Sequence, residues 1–446
     1  MSGAQLLGRA ERLVQMALAR GADEAECYLE QGASVDVELE AGRIANTSSG
    51  QSTGAGLRIL KGGRLGFAYL TRDEQAPTAI DLALKQARLA PKKDFHFAAP
   101  TKPKAIAGRW DARVADLDVK DAITLAEGLL AGAKEGSPKA TVSGGGASLS
   151  TSWVAIANSA GIGVWDRQTS NGCSVSLTLE DGERSISAGE GDSLHQFKLD
   201  PHAVAREACE TVNSLRKPKP AGKGGAVQIL LRPEAAAELV TNFVVSAATG
   251  DEAKRGKTVW SQKLGKSVAA KMLHVVDDPH IAGAVGAVAF DDEGVATKRL
   301  PLLDGGVLKH FLYDAWDAHR HKAKTTASAV RGGFKSRPEA GTHHLVVSSP
   351  KARPMDALVE SMDDGFVVES VLGAHTANPT TGDFSVTSPN VWKVRKGAIV
   401  GPVRDIALGG SLPDLLTKLE GVSSQAKQMD GARVPALLFA GVSVST

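Results

Sequence analysis

Two carboxylates four residues apart, Glu234 and Glu238, stand in the run Pro233-Glu234-Ala235-Ala236-Ala237-Glu238, directly after the apolar segment Val227-Gln228-Ile229-Leu230-Leu231. Proline suits the first helical turn, where its missing N–H is no loss. A helix starting there puts both carboxylates on one face, near the positive end of its dipole. The arrangement is complete as helix-end electrostatics, and it is also what a residual site keeping one general-base carboxylate would look like. As a metal site it is poor, because proline offers no ligand and two carboxylates alone suit a weak hard-cation site better than zinc. Glu234 and Glu238 are therefore the residual catalytic candidates, and no metal ligand is assigned.

Other groups compete for a chemical role. His274, His280, His310, His319, His321, His343 and His344 crowd one stretch of the chain, but neither a cysteine nor a paired His-x-x-x-His helix accompanies them. Solvated loop and strand-edge histidines are the expectation, with His319 and His321 on one strand face. Asp277-Asp278-Pro279 and Asp291-Asp292-Glu293-Gly294 could serve acid/base work or a cation, yet both adjoin turn-formers, where aspartate caps its own backbone. Residues 250–258, Gly-Asp-Glu-Ala-Lys-Arg-Gly-Lys-Thr, have five residues between the glycines where a phosphate-binding loop has four. A helix also precedes them where that loop needs a strand, so nucleotide binding is rejected. The positive reading goes to residues 373–388, a polar Gly/Pro/Thr loop feeding a strand, of the kind that carries recognition on a rigid sheet. It makes Asn378, Thr380, Thr381, Gly382, Asp383 and Phe384 the substrate-binding candidates.

Those residues need a scaffold, and 446 residues are too many for one ordinary core. The Pro/Gly/Lys stretch 217–225 can neither continue a helix nor pair well in a sheet, so it is the main linker. Three prolines and several lysines break the pattern again between 90 and 103. The expected domains are an α/β lobe over 1–90, a second α/β lobe over 104–216, the linker, and a β-rich domain over 226–446. Each lobe reads as helix, strands, helix: helix at 6–17, strands at 24–30 and 35–40, a hairpin at 61–64 and a helix at 79–89, then helix 120–133, strands near 153–157, 163–167 and 173–179, and helix 203–215. Both carry a strand-to-turn phrase, Ile44-Ala45-Asn46-Thr47 and Ile156-Ala157-Asn158-Ser159, as two versions of one unit would. In the second half, strands are expected at 285–290, 305–313, 344–348, 365–374, 384–395 and 434–444, with helices at 234–247, 354–362 and 413–419. The fold class is α+β: N-terminal α/β lobes with a mixed sheet, and a C-terminal antiparallel barrel-like or strongly curved β domain with flanking helices.

Composition excludes more than it selects. The formal net charge is +2, and Lys and Arg are scattered apart from the short run 216–223, so there is no concentrated basic face for nucleic acid. No stretch approaches the apolar length of a membrane helix and the start has no apolar signal core, which predicts a cytoplasmic protein without a membrane partner. Cys27, Cys173 and Cys209 are too few and too dispersed for a disulfide framework or a zinc cluster, and are read as reduced and structural.

Several phrases resemble the TldD/PmbA family, also called the modulator-of-DNA-gyrase family: Asp277-Asp278-Pro279, Phe290-Asp291-Asp292-Glu293-Gly294-Val295, Asp304-Gly305-Gly306-Val307-Leu308-Lys309, and Asn378-Pro379-Thr380-Thr381-Gly382-Asp383-Phe384-Ser385. Residues 56–68, from Gly56 to Ala68, are similar to the family's N-terminal hairpin, so the resemblance spans nearly the whole chain in order. In the TldD branch the site helix reads His-Glu-x-x-x-His; here the histidine places hold Pro233 and Glu238, and only Glu234 remains. The branch's further zinc ligand, a cysteine near residues 373–388, is absent too. The pattern looks like the PmbA (TldE) branch.

That resemblance implies a non-zinc subunit of a TldD/TldE-type metallopeptidase, shaping a cleft for unfolded peptide bound by strand addition while a TldD-like zinc subunit hydrolyses it. No cofactor is expected in this chain itself, zinc belonging to the partner. Two other readings stay open: a metal-free homodimeric peptide-binding or scaffold protein, and a carboxylate-dependent hydrolase acting alone through Glu234 and Asp291, Asp292 and Glu293.

Overall fold

The computed structural model describes residues 2–93, 95–374, 377–378 and 380–446, so Pro379 of the loop phrase lies outside the described residues. Helix α1 (Gly3–Ala19) starts at a reciprocal cap in which Ser2 accepts the Gln5 N–H and the Gln5 side chain accepts the Ser2 N–H. Its buried stripe Leu6, Ala10, Leu13, Val14, Ala17 has helical spacing and packs on the sheet that follows. That sheet contains β1 (Glu24–Glu40), β2 (Arg43–Lys61) and β3 (Arg64–Leu70), with helix α2 (Ala76–Leu89) on the same side as α1. The two strands expected at 24–30 and 35–40 are one, because β1 is paired on both sides through the Gly32 to Ser34 stretch that the sequence pattern broke.

One turn, α3 (Ala112–Ala115), leads to α4 (Val119–Gly136), β4 (Thr141–Asn158), β5 (Gly163–Asp181), β6 (Arg184–Leu194) and α5 (Pro201–Ser214). The six strands form one antiparallel sheet in the order β3-β2-β1-β4-β5-β6. Helix, three strands, helix thus occurs twice, joined edge to edge by β1 and β4. The tetrapeptide echo is not the trace of this recurrence, since Ile44 opens β2 whereas Ile156 lies near the end of β4.

The sheet is curled like half a barrel. Along β5, Cys173, Val175, Leu177 and Leu179 are buried beneath α4 and α5, and the alternate residues Ser170, Gly172 and Ser174 line the concave side. Glycine at 145 is obligatory: its φ is +120°, and a Cβ there would lie 2.2 Å from the Ser174 carbonyl oxygen.

Strand β7 (Gly225–Leu231) opens the second sheet, pairing antiparallel with Ala432–Ser445 and parallel with Asp364–Val368. This twelve-stranded sheet is mixed. The curled antiparallel sheet thus lies in the first half of the α+β chain. Two expected strands are corrected. Residues 285–290 form turns, because Gly286 sits at φ +93° and the backbone of Val285 and Val288 bonds His344, Pro279 and Thr297. Of 305–313 only Val307–Leu308 pairs regularly, since Gly305 and Gly306 both take positive φ and turn the chain. His319 and His321 are not on a strand either: Asp314 caps a short helix, Ala315–Arg320, which carries His319 and ends at His321.

The halves meet through a continuous apolar core in which Val37, Leu39, Leu149 and Val175 share a cluster with Leu230, Leu358, Trp392 and Leu438. Near the start of β1, away from that cluster, lies a sealed ionic seam. Arg58 of β2 grips Glu26 of β1 through two hydrogen bonds of 2.8 and 2.6 Å and reaches Glu293 at 2.8 Å. Arg331 donates to the same Glu26 at 2.5 Å, and all four side chains are at most 2% exposed. Among the described residues, no helix is long and apolar enough to cross a membrane.

Candidate functional site

Glu234 lies in the single turn α6 (Pro233–Ala236), which passes through a π turn, Ala237–Thr241, into α7 (Asn242–Ala247). The start of α6 is held by the strand beside β7, as Arg232 N–H donates to the Val368 carbonyl and Ala235 N–H to that of Glu369. A π turn closes its hydrogen bonds between residues five apart, so it rotates α7 relative to α6 away from where an unbroken α-helix would put it.

The Glu234 carboxylate is not alone. Its Oε1 lies 2.6 Å from the Lys427 ammonium, which also binds Glu190 of β6 and stands 3.6 Å from Glu207 of α5. Glu369, only 6% exposed, is 2.7 Å from an Arg232 Nη1 that is not aligned as a hydrogen-bond donor. Oxygens of Glu190, Glu234 and Glu369 lie within 4.8 Å of one another. Burial, with Glu234 and Glu190 nearby, lifts the Glu369 carboxyl to about 7 against the pull of Arg232. Burial also raises Glu190. Lys427 is held firmly protonated by Glu234 and Glu190 although burial works against its charge.

Glu238 lies on the exposed side of the same segment and is raised by partial burial and by Glu234, while its carboxylate accepts the Val371 N–H. Val371 leads into the loop singled out as substrate-binding, so helix and loop are tied together. In that loop the Asn378 Oδ1 accepts the Thr380 and Thr381 N–H groups, Thr381 Oγ1 donates to Asp383 at 2.7 Å, and Gly382, at φ +77°, packs against Pro413 and Phe243. Phe384 belongs to the apolar core and presents no side chain to a ligand, because alternation along Asp383–Ser388 turns it inward.

A groove of about 790 Å³ runs over the concave face of the curled sheet, lined by Ser48, Ser148, Ser170, Ser174, Gly191 and Asp430 among others. A smaller hollow containing Glu234, Glu190 and Lys427 shares Ser174, Gly191 and Met429 with it. Serine and glycine leave backbone accessible, while Asp36, Glu38, Asp192 and Asp430 make the lining acidic. Strand β6, which flanks both cavities, pairs with β5 alone among the described strands and is the sheet's edge.

The remaining candidates are engaged elsewhere. Asp291 accepts the N–H groups of Glu293, Val295 and Ala329, and Asp277 those of His343 and His344, so both act as turn and loop caps. Glu293 is locked in the Arg58 seam. His344, His343 and His310 bond the carbonyls of Val285, Ala327 and Pro301, while His280 meets Thr297 and His321 meets Asp251. The same Asp251 pairs with Arg255 and Arg320, and Glu252 with Arg255 and Lys257, in a segment that begins as the short helix Gly250–Lys254. Cys27 and Cys173 are buried thiols pushed up by burial, Cys173 to about 12.

Sequence reasoning missed Lys427, Glu190, Glu369 and Arg232. One local signal existed, since Glu369 ends the apolar run Phe366-Val367-Val368. Nothing local connects it to Lys427.

An α+β scaffold with a polar groove ending at a helix-borne glutamate defines a class, and comparison with known proteins names it. Residues 25–90 match PmbA/TldA metallopeptidase domain 1, residues 112–216 the PmbA/TldA metallopeptidase central domain and residues 224–446 the PmbA/TldA metallopeptidase C-terminal domain. The chain belongs to the PmbA/TldD metallopeptidase family. It is 26% identical over 97% of its length to an uncharacterized protein of Methanocaldococcus jannaschii, covering 98% of that protein. It is 24% identical over 94% of its length to the metalloprotease PmbA of Escherichia coli O157:H7, covering 91% of that chain. The crystal structure of TldE from Thermococcus kodakarensis superposes with a TM-score of 0.89 at 23% identity, covering 98% of this chain and 99% of that one.

The family name implies a metal, and the residues present do not fit zinc. Among the described residues the one group of three metal-capable side chains is Glu190, Glu234 and Glu369, all carboxylates, whereas zinc favours imidazole and thiolate. An ammonium already stands against two of them.

Proposed function

We propose that this chain is a PmbA/TldE-like subunit without zinc, whose groove holds an unfolded peptide in extended form while a TldD-like partner supplies the zinc and the hydrolysis. The observation that carries this reading is the groove itself, a serine- and glycine-rich surface with acidic side chains along an edge strand, next to a hollow at Glu234 where an ammonium stands and, among the described residues, no histidine or cysteine joins the carboxylates. An edge strand beside small residues suits strand addition, in which backbone hydrogen bonds give affinity. Glu234 and Glu238 serve here as charge and helix-end groups, and Asn378, Thr380, Thr381 and Asp383 as the rim of the cleft. The hydrolase reading is weakened, because Asp291 caps backbone, Asp292 accepts the Arg331 N–H and Glu293 is sealed in the seam. Affinity capture of the tagged protein from its host tests the proposal. Recovery of a near-stoichiometric His-Glu-x-x-x-His protein supports it, and recovery of the chain only with itself, as a dimer, replaces it with the homodimeric binding reading.

A further inference from the structure

The cluster around Lys427 has the layout of a cation site with the cation supplied by the protein. Oxygens of three carboxylates, from Glu190, Glu234 and Glu369, fall within 4.8 Å of one another, a spacing compatible with ligands shared by one hard ion. They come from β6, from α6 and from the strand end after Val368, so no local pattern produces the convergence. Three carboxylates so close repel one another unless a positive charge stands among them. The Lys427 Nζ is that charge for two of them, 2.6 Å from Glu234 and bonded to Glu190, with its side chain 22% exposed, while Arg232 at the edge of the cluster faces Glu369. Two buried carboxylate oxygens have no aligned hydrogen-bond donor: Glu234 Oε2, and Glu369 Oε2, which faces Arg232 Nη1 at 2.7 Å as an ion pair only. The Glu369 side chain is only 8% exposed. The cluster therefore holds more acceptor capacity than one ammonium uses.

We propose that Lys427 is a built-in counter-cation standing in the place of a metal ion, and that removing its charge converts Glu190, Glu234 and Glu369 into a divalent-cation site. The site so uncovered prefers hard oxygen-seeking ions such as Mn²⁺ over zinc. This holds whether or not the groove binds peptide.

The test is Mn²⁺ binding to the full chain, read by titration calorimetry and by the loss of the free-ion paramagnetic signal. The unaltered protein is expected to take up no stoichiometric Mn²⁺. Lys427→Met, which keeps an apolar stem and drops the charge, is expected to bind one equivalent with a Kd on the order of 10⁻⁴ M. The double variant Lys427→Met/Glu190→Gln should lose that binding. If Lys427→Met does not fold by itself, Mn²⁺ should restore its circular dichroism where sodium at equal ionic strength does not, because an ion bound only by the native form stabilises it. A Lys427→Met protein that neither binds nor is rescued by Mn²⁺ overturns the proposal. So does stoichiometric uptake by the unaltered chain, or binding that persists in the double variant.

Discussion

Two ionic clusters of this molecule are built from the same residue types and do different work. At the seam, Arg58 and Arg331 meet Glu26 and Glu293, two positive charges against two negative, with side chains at most 2% exposed. At the groove end, Lys427 and Arg232 meet Glu190, Glu234 and Glu369, with Glu207 nearby, so the carboxylates outnumber the cations. The seam fixes the orientation of the N-terminal sheet on the second half; its guanidinium forks match carboxylate geometry. The groove cluster is half open and unbalanced, and it keeps a carboxyl near 7. Balance and complete burial mark a structural device. Excess charge kept next to a cavity marks a place that deals with something outside the fold.

The largest effect should come from the seam. Arg58→Met leaves the buried Glu293 without its cation and Glu26 with Arg331 alone, and is expected to lower stability by about 3–5 kcal/mol, measured by urea unfolding. Lys427→Met should cost less, because Glu234 and Glu207 keep access to water at the cavity even though Glu190 does not. Equal losses in the two variants would erase the contrast between the clusters.

Next in size is a pH dependence set by Glu369. Its carboxyl titrates near 7 in the folded chain against 4.5 ordinarily, so the native state holds a proton that the unfolded state has released. The associated stability is complete below pH 4.5 and is lost as pH rises through 7, by at most about 3 kcal/mol. Asp314, beside the seam and pushed up to about 8 by burial and Glu293, adds a slope of the same sign that extends higher. Glu369→Gln is expected to flatten the lower part of the profile and leave the upper part. An unchanged slope between about pH 5 and 7 would place the titration elsewhere.

Ser174→Trp puts a ring into the groove from an exposed position. It should weaken binding of an unstructured fluorescent peptide at least about tenfold, near 1.4 kcal/mol, with stability changed by less than about 0.5 kcal/mol. Anisotropy titration and thermal unfolding together separate a blocked groove from a damaged fold. The smallest effect is expected for Glu238→Gln: it relieves the repulsion with Glu234 but gives up part of the contact to Val371, so stability should move by no more than about 0.5 kcal/mol.

Much of the scaffold was legible in order along the chain. The helices at 3–19, 76–89, 119–136 and 201–214 follow from apolar spacing and from caps such as Ser2, Asp118 and Asp200. Asp277 and Asp291 do what aspartate beside turns does, binding nearby N–H groups. Reading failed where the second half is irregular. The apolar run 285–290 looks like a strand by alternation, but Gly286 and three side-chain or backbone partners draw it into turns. Phe384 looked like part of a recognition loop, and the pleat turned it into the core.

The sequence by itself determined that positions 233 and 238 carry no histidine, that a carboxylate stays at 234, and that the chain follows the family's pattern from end to end; these are matters of residue type and local order. Only the tertiary structure decided what stands opposite Glu234. Lys427 and Glu190 are 237 residues apart in the chain, and they meet because β6 closes the curled sheet over the strand Leu419–Met429. Short-range patterns register helical and strand periodicity, whereas the charge that completes this site depends on the pairing of two sheets, and no local spacing encodes that.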